Sequence, residues 1–128
     1  MQMIIRNKKD LDIAYAKGIR RLYVTRTMTL DFHYGQWEVR GAKGCTVRVN
    51  LHQKAYAEVS GNAFVYANDD SVVRVQSGAN VTANSETVTV VVDSPYDSLV
   101  RNLKDCILIV FAALSSDSQY HQHKLFTF

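Results

Sequence analysis

No stretch of this sequence approaches the ~18 consecutive apolar residues of a membrane-spanning helix. Its longest apolar run, Ile107 to Leu114, is the length of a strand. The N-terminal MQMIIRNKKD lacks the apolar h-region of a secretory signal. A chain without membrane contact, working in the cytoplasm, is the expectation. Cysteine is scarce: Cys45 and Cys106 are the two in the chain and lie far apart. In a reducing compartment they are expected to be free, buried thiols rather than a disulfide. The sequence has no CxxC, no HExxH and no glycine-rich loop of the kind that cradles phosphate. His33 and His52 have no Ser or Cys at a diagnostic spacing, so no general base with an orienting partner can be picked out. No catalytic residue, cofactor or metal is therefore expected.

Two weaker constellations have plainer explanations. His121 and His123 would share one strand face and could hold a metal with Asp117 or Cys106, but no third well-spaced ligand accompanies them, which favours exposed strand histidines. Asp69 and Asp70 beside Asn68 could coordinate calcium at a corner, although adjacent carboxylates in a turn are ordinarily solvated.

What is present is an internal repeat. Between Ala55 and Val91, short Val/Ala-rich runs are punctuated by Gly, Asn, Asp and Ser. An offset of 16 places Val59 on Val75, Ala63 on Ala79, Val65 on Val81, Ala67 on Ala83 and Asn68 on Asn84. That length fits one turn of a small β-solenoid, which must supply two or three short strands and a bend after each. The register extends backward to Val47 and Val49, with larger aromatic residues filling a wider first turn. Gly35, Gly41, Gly44, Gly61 and Gly78 are the expected corners, and Asn68 and Asn84 an expected hydrogen-bonded ladder.

Outside the repeat, Asn7 caps a predicted helix from Lys8 to Lys17, with Asp10 at its third position and Gly18 as its left-handed stop. IRRLYVTR follows as a strand. Ser94 and Pro95 begin a second predicted helix that runs to Lys104. The run from Cys106 then reads as a central strand covered on both faces, and YHQHKLFTF as a last strand. The expected fold is mainly β and a single domain: an N-terminal cap over 1–26, a solenoid of about three turns over 27–93, and a C-terminal helix with closing strands over 94–128.

The stretch SGNAFVYANDDSVVRVQSGANVTAN resembles the degenerate GNAxV-type repeats of β-helical proteins from bacteria and their phages. The resemblance covers roughly a third of the chain. It implies a β-helix and a phage or mobile-element origin, and no activity. Hexapeptide-repeat acyltransferases are the better-known relatives of such helices, but their strict aliphatic residue every six positions is absent: Val59 and Val65 fit, whereas Val75 and Val81 restart the count after ten.

The charge is uneven. Residues 1–26 carry +5, 27–54 carry +2, 55–91 carry −3 and 92–128 carry −1. The absence of any oriented acid, base, nucleophile or phosphate loop favours a non-enzymatic protein-binding module, with Lys8, Lys9, Arg20, Arg21 and Arg26 of the basic end as its contacts to an acidic partner. The phage-like resemblance implies its most concrete form, an anti-defence protein: an inhibitor of a host complex, comparable to anti-CRISPR proteins. Three alternatives remain. One is a nucleic-acid binder using the same cations, with Lys17, Tyr15 and Tyr23 among them. Another is an oligomeric phage component joined through Phe126 and Phe128. The third is an acyltransferase-like trimer using His52.

Overall fold

The computed structural model describes residues 1–76, 78–92, 99–101, 106–110 and 124–127. Its strands are β1 (Gln2–Ile5), β2 (Arg21–Val24), β3 (Met28–Phe32), β4 (Gln36–Gly41), β5 (Val47–Leu51), β6 (Tyr56–Gly61) and β7 (Ala63–Ala67). They continue with β8 (Val72–Val75), β9 (Asn80–Ala83), β10 (Thr89–Val92), β11 (Leu99–Arg101), β12 (Ile107–Val110) and β13 (Lys124–Thr127). Among the described residues there is one helix, α1 (Lys8–Lys17), between β1 and β2.

The chain alternates between two sheets as it advances. The larger sheet runs β1-β2-β4-β6-β8-β10-β12-β13 and the smaller β11-β9-β7-β5-β3. Every strand pairs in parallel with its neighbours. The result is a β-solenoid of about six turns, not three. A fixed offset of 16 captures only part of the ladder. In the structure Tyr56 pairs with Val72, an offset of 16, but Arg21 pairs with Glu38 (17), Met28 with Val47 (19) and Gln36 with Tyr56 (20). The unequal turns hide from a fixed period.

Within the repeat the expected partners meet: Val59 with Val75, Val65 with Val81, Ala67 with Ala83, and backward Val47 with Ala63 and Val49 with Val65. Alternate residues of each strand point inward, because successive side chains leave a strand on opposite faces. The inward set is Leu30 and Phe32, Trp37 and Val39, Val47, Val49 and Leu51, then Ala57, Val59, Ala63, Val65 and Ala67, all buried. Burying each Val or Leu contributes about 1.5–3 kcal/mol, so stacked turns gain a continuous core that no single turn could supply. The wider first turns are filled as expected, with Phe32 and Trp37 stacked at 4.3 Å between ring centroids.

The corners repeat as well. Ala55 N–H donates to His52 O, Ser71 N–H to Asn68 O and Val88 N–H to Ser85 O, one tight bend per turn at the same place. Gln53 and Asp69 take left-handed φ values of 52° and 58° there. Asn84 Nδ2 donates to Asn68 Oδ1 at 3.1 Å, so the asparagine ladder is present. At the opposite corner Gly61 pairs with Gly41. A Cβ on Gly61 would lie 2.2 Å from the Gly41 carbonyl oxygen, and its φ is +74°; only glycine lets the two backbones approach so closely.

The helix has the expected bounds and caps. Asn7 Oδ1 accepts from Asp10 N at 2.9 Å, and Gly18 is left-handed. Asp10 Oδ2 in turn accepts from Arg6 N at 3.0 Å and Arg6 Nε at 3.1 Å. The Arg6 backbone N–H, then its side chain, hold this carboxyl below the ordinary carboxylate range. The helix does not precede the solenoid, however. β1, which the sequence reading missed because QMII is so short, pairs with β2 as the first rung of the larger sheet. α1 is thus an insert in the first turn, in the place a strand of the smaller sheet would take.

Three further expectations differ from the structure. Leu99–Arg101, inside the predicted second helix, is strand β11 paired with β9; an added rung on an existing parallel sheet outweighs local helical capping signals. The remainder of 94–104 lies outside the described residues. In β12, Leu108 is buried but Ile107 is 37% exposed, so this strand alternates instead of being covered on both faces. It lies between β10 and β13. Neither cysteine is in a disulfide; Cys106 is buried as expected, whereas Cys45 is half-buried, its thiol donating to Ala42 O at 3.0 Å.

Candidate functional site

The outward residues of each sheet stack in columns, since parallel in-register strands place equivalent positions side by side. On the larger sheet one column is Arg21, Glu38, Glu58 and Arg74. Arg21 Nε is ion-paired with Glu38 Oε2, and Tyr56 Oη donates to Glu58 Oε1 at 3.0 Å. Burial first, and then this hydrogen bond to Glu58, push the Tyr56 phenol upward from its ordinary pKa. Arg20 lies 4.2 Å over the Trp37 ring, and with Arg21 it borders a hollow of about 590 Å³. Arg21, Glu38, Glu58 and Arg20 are each engaged by a neighbour on this face, so it largely satisfies itself.

The smaller sheet is different. Its columns are Thr29, Arg48 and Phe64, and Asp31, Asn50 and Tyr66. The Arg48 guanidinium sits 4.3 Å over the Tyr66 ring, and Phe64 beside it is 38% exposed. Asp31 is held by Asn50, whose Nδ2 donates to its Oδ1 at 3.0 Å, and lies 3.5 Å from His52 Nε2. Arg48 has no ion-pair partner among the described residues. A groove of about 570 Å³ lies along Thr27, Met28, Thr46, Arg48, Phe64 and Tyr66. Through Thr27, Met28 and Thr29 it continues into one of about 420 Å³ between α1 and β3, edged by Arg6, Lys8, Tyr15 and Arg26. Tyr15 forms part of the wall: its ring meets Trp37 edge-on at 5.1 Å and its hydroxyl donates to Asp31 O at 3.4 Å. Burial, with Asp31 and Asp12 adding to it, pushes this phenol up to about 12, so it stays a neutral hydrogen-bond donor.

The five cations expected to contact a partner are divided between these faces. Lys8 and Arg26 line the groove of the smaller sheet, with Lys9 exposed on the same helical turn. Arg20 and Arg21 lie on the other side, by Trp37 and Glu38. Arg48, Phe64 and Tyr66 were missed, although the signal was available: Arg48 and Phe64, like Asn50 and Tyr66, are 16 apart, the offset that aligned the valines between them. Phe126 is the register partner of Ile109 in β13, while Phe128, His121, His123 and Asp117 lie outside the described residues.

His33 and His52 are not isolated. One residue beyond the paired Phe32 and Leu51, their rings stack at 4.5 Å and 12°. This pair continues, in histidine, the corner column that asparagines occupy further along. Asp69 is likewise structural: its Oδ2 accepts from Gln53 N at 2.8 Å, and its carbonyl from the Ser85 and Thr87 hydroxyls. Among the described residues no group of three or more His, Cys, Asp or Glu is arranged to hold a metal. No helix among them is long and apolar enough to cross a membrane.

These features define the class of the protein as a two-sheet parallel β-solenoid with a basic, aromatic groove on the smaller sheet. Compared with known families, characterised proteins and solved structures, the chain matches none.

Proposed function

We propose that this protein is a non-enzymatic protein-binding module that docks an acidic partner in the groove of its smaller sheet. The observation that carries the reading is the set Lys8, Arg26 and Arg48, three cations with no ion-pair partner among the described residues, arranged along a wall and floor of Tyr15, Met28, Phe64 and Tyr66. Arg, Tyr, Phe and Met are the residues enriched at the energetic centres of protein interfaces. A stacked parallel sheet supports them rigidly, so little order has to be gained on binding. The more specific form, a phage or mobile-element inhibitor of a host defence complex, rests on the repeat resemblance.

The test begins with affinity purification from a bacterial host and rebinding of the identified partner as a pure protein. Reversing both Lys8 and Arg26 to Glu should weaken binding by about tenfold or more, mostly through its on-rate at low salt. Reversing Arg20 and Arg21 should have the smaller effect, since Arg21 already has Glu38 as its counter-ion. Equal affinity in the Lys8→Glu/Arg26→Glu variant, or no purified partner that rebinds, overturns the reading.

A further inference from the structure

Resting on that reading, we propose that Arg48, laid on Tyr66 and flanked by Phe64, is the anchor of the groove, and that its ligand is an Asp or Glu side chain of the partner with an aromatic or aliphatic residue next to it. The guanidinium of an arginine is planar. Stacking on a ring engages the flat face of the group, whereas its N–H donors lie in the plane and point from the edge. In Arg48 the central guanidinium carbon lies over the Tyr66 ring, 4.3 Å from its centroid, and no carboxylate or carbonyl of the described residues accepts from its N–H groups. A planar fork held by a ring has already lost much of its rotamer freedom, so a carboxylate can be gripped through two parallel hydrogen bonds at reduced entropic cost.

The acid on the same face does not fill this role. Asp31 is one strand over and one column along, its Oδ1 tied to Asn50 and close to His52. Phe64, 38% exposed, precedes Tyr66 by two and leaves the same face of β7. With Met28 and the methyl-bearing Thr27 and Thr46 it forms an apolar rim beside the fork. Such a rim suits the side chain adjacent to the bound acid, and Arg26 and Lys8 further along suit additional acids.

An oxyanion could equally be a nucleic-acid phosphate, but the groove argues for protein. Asp12 and Asp31 lie among its cations, and Arg6 is committed to Asp10. Surfaces that track a phosphate backbone are much more uniformly positive. A mixture of cations, acids and aromatics is the composition of a protein interface.

The test is a selection from a displayed library of random peptides against the wild-type protein, with the selected consensus then synthesised and measured by fluorescence anisotropy. Enriched sequences should carry Asp or Glu within two residues of an aromatic or aliphatic residue. Arg48→Ala should weaken the peptide by about tenfold or more, and Phe64→Ala by several-fold. Arg48→Lys should also weaken it, because a lysine keeps the charge but not the fork. Unchanged circular dichroism and thermal midpoints would show that these exposed positions were altered without loss of fold. Enrichment without acids, no enrichment at all, binding that survives Arg48→Ala, or displacement of the peptide by oligo(dT) would each overturn the assignment. The wider reading fails separately: a rebinding partner that is sensitive to Lys8→Glu/Arg26→Glu but indifferent to Arg48→Ala keeps the protein-binding module and removes this anchor.

Discussion

The turns near the N-terminus and those in the middle of the solenoid are built on one plan and filled differently. Around β3 and β4 the core contains Leu30, Phe32 and Trp37, and successive strands are 19 or 20 residues apart; around β6 to β9 it contains Ala57, Val59, Val65, Ala67 and Val81, and the step falls to 16. The strands themselves hardly change. The additional residues are in the corner between β4 and β5, where Ala42 to Cys45 form a turn; between β6 and β7 Asn62 alone intervenes. A solenoid can therefore widen by lengthening its bends while the ladders stay in register. The same widening separates the functional surfaces, because Trp37 supports Arg20 on one side and Tyr15 on the other.

The strongest way to break this comparison is through the contents of the two cores. Phe32→Ala should cost about 3–5 kcal/mol and Val65→Ala about 1–3 kcal/mol, the difference reflecting the larger cavity left in the wide turns. Urea unfolding of both variants measures it, and equal losses would mean that the wide turns are loosely packed. Next in size is the contrast between corners. Gly61→Ala would drive a Cβ into the Gly41 carbonyl at a positive φ and should cost about 3 kcal/mol. Gly44→Ala, also at positive φ but with nothing within 4 Å of the added carbon, should cost about 1 kcal/mol. Thermal midpoints in the reverse order would reject the tight-corner account.

The smallest effect has the opposite sign. Ser71 is fully buried at a corner of the middle turns, and its Oγ has no hydrogen-bond partner among the described residues. The corresponding positions in adjacent turns are Ala55 and Val88, both buried and apolar. Ser71→Ala should accordingly stabilise the protein by about 1 kcal/mol, by removing an unsatisfied hydroxyl. A lowered midpoint would show that the hydroxyl has a partner that matters.

How much of this was legible in the sequence depends on which turn is considered. In the middle turns the step of 16 repeats twice along β5, β7 and β9, so Val49, Val65 and Val81 aligned themselves, and Asn68 and Asn84 with them. In the wide turns the longer corners put the partners of Leu30 and Trp37 at other offsets, and no fixed period could find them. The groove was harder still. Its charged wall was visible in Lys8 and Arg26, but the floor depends on outward positions, whose residue types vary freely as long as they tolerate water.

The sequence by itself determined the inward pattern of valines and alanines, the capped helix from Lys8 to Lys17 and the basic character of the first turns, because burial, capping and charge act on neighbouring or periodically spaced residues. Tertiary structure alone decided that Arg20 and Arg21 part from Lys8 and Arg26, that His33 stacks on His52, and that Arg48 comes to rest on Tyr66. Each of these depends on which residues the bends bring into register one turn apart, and that is set by the length of every corner between them.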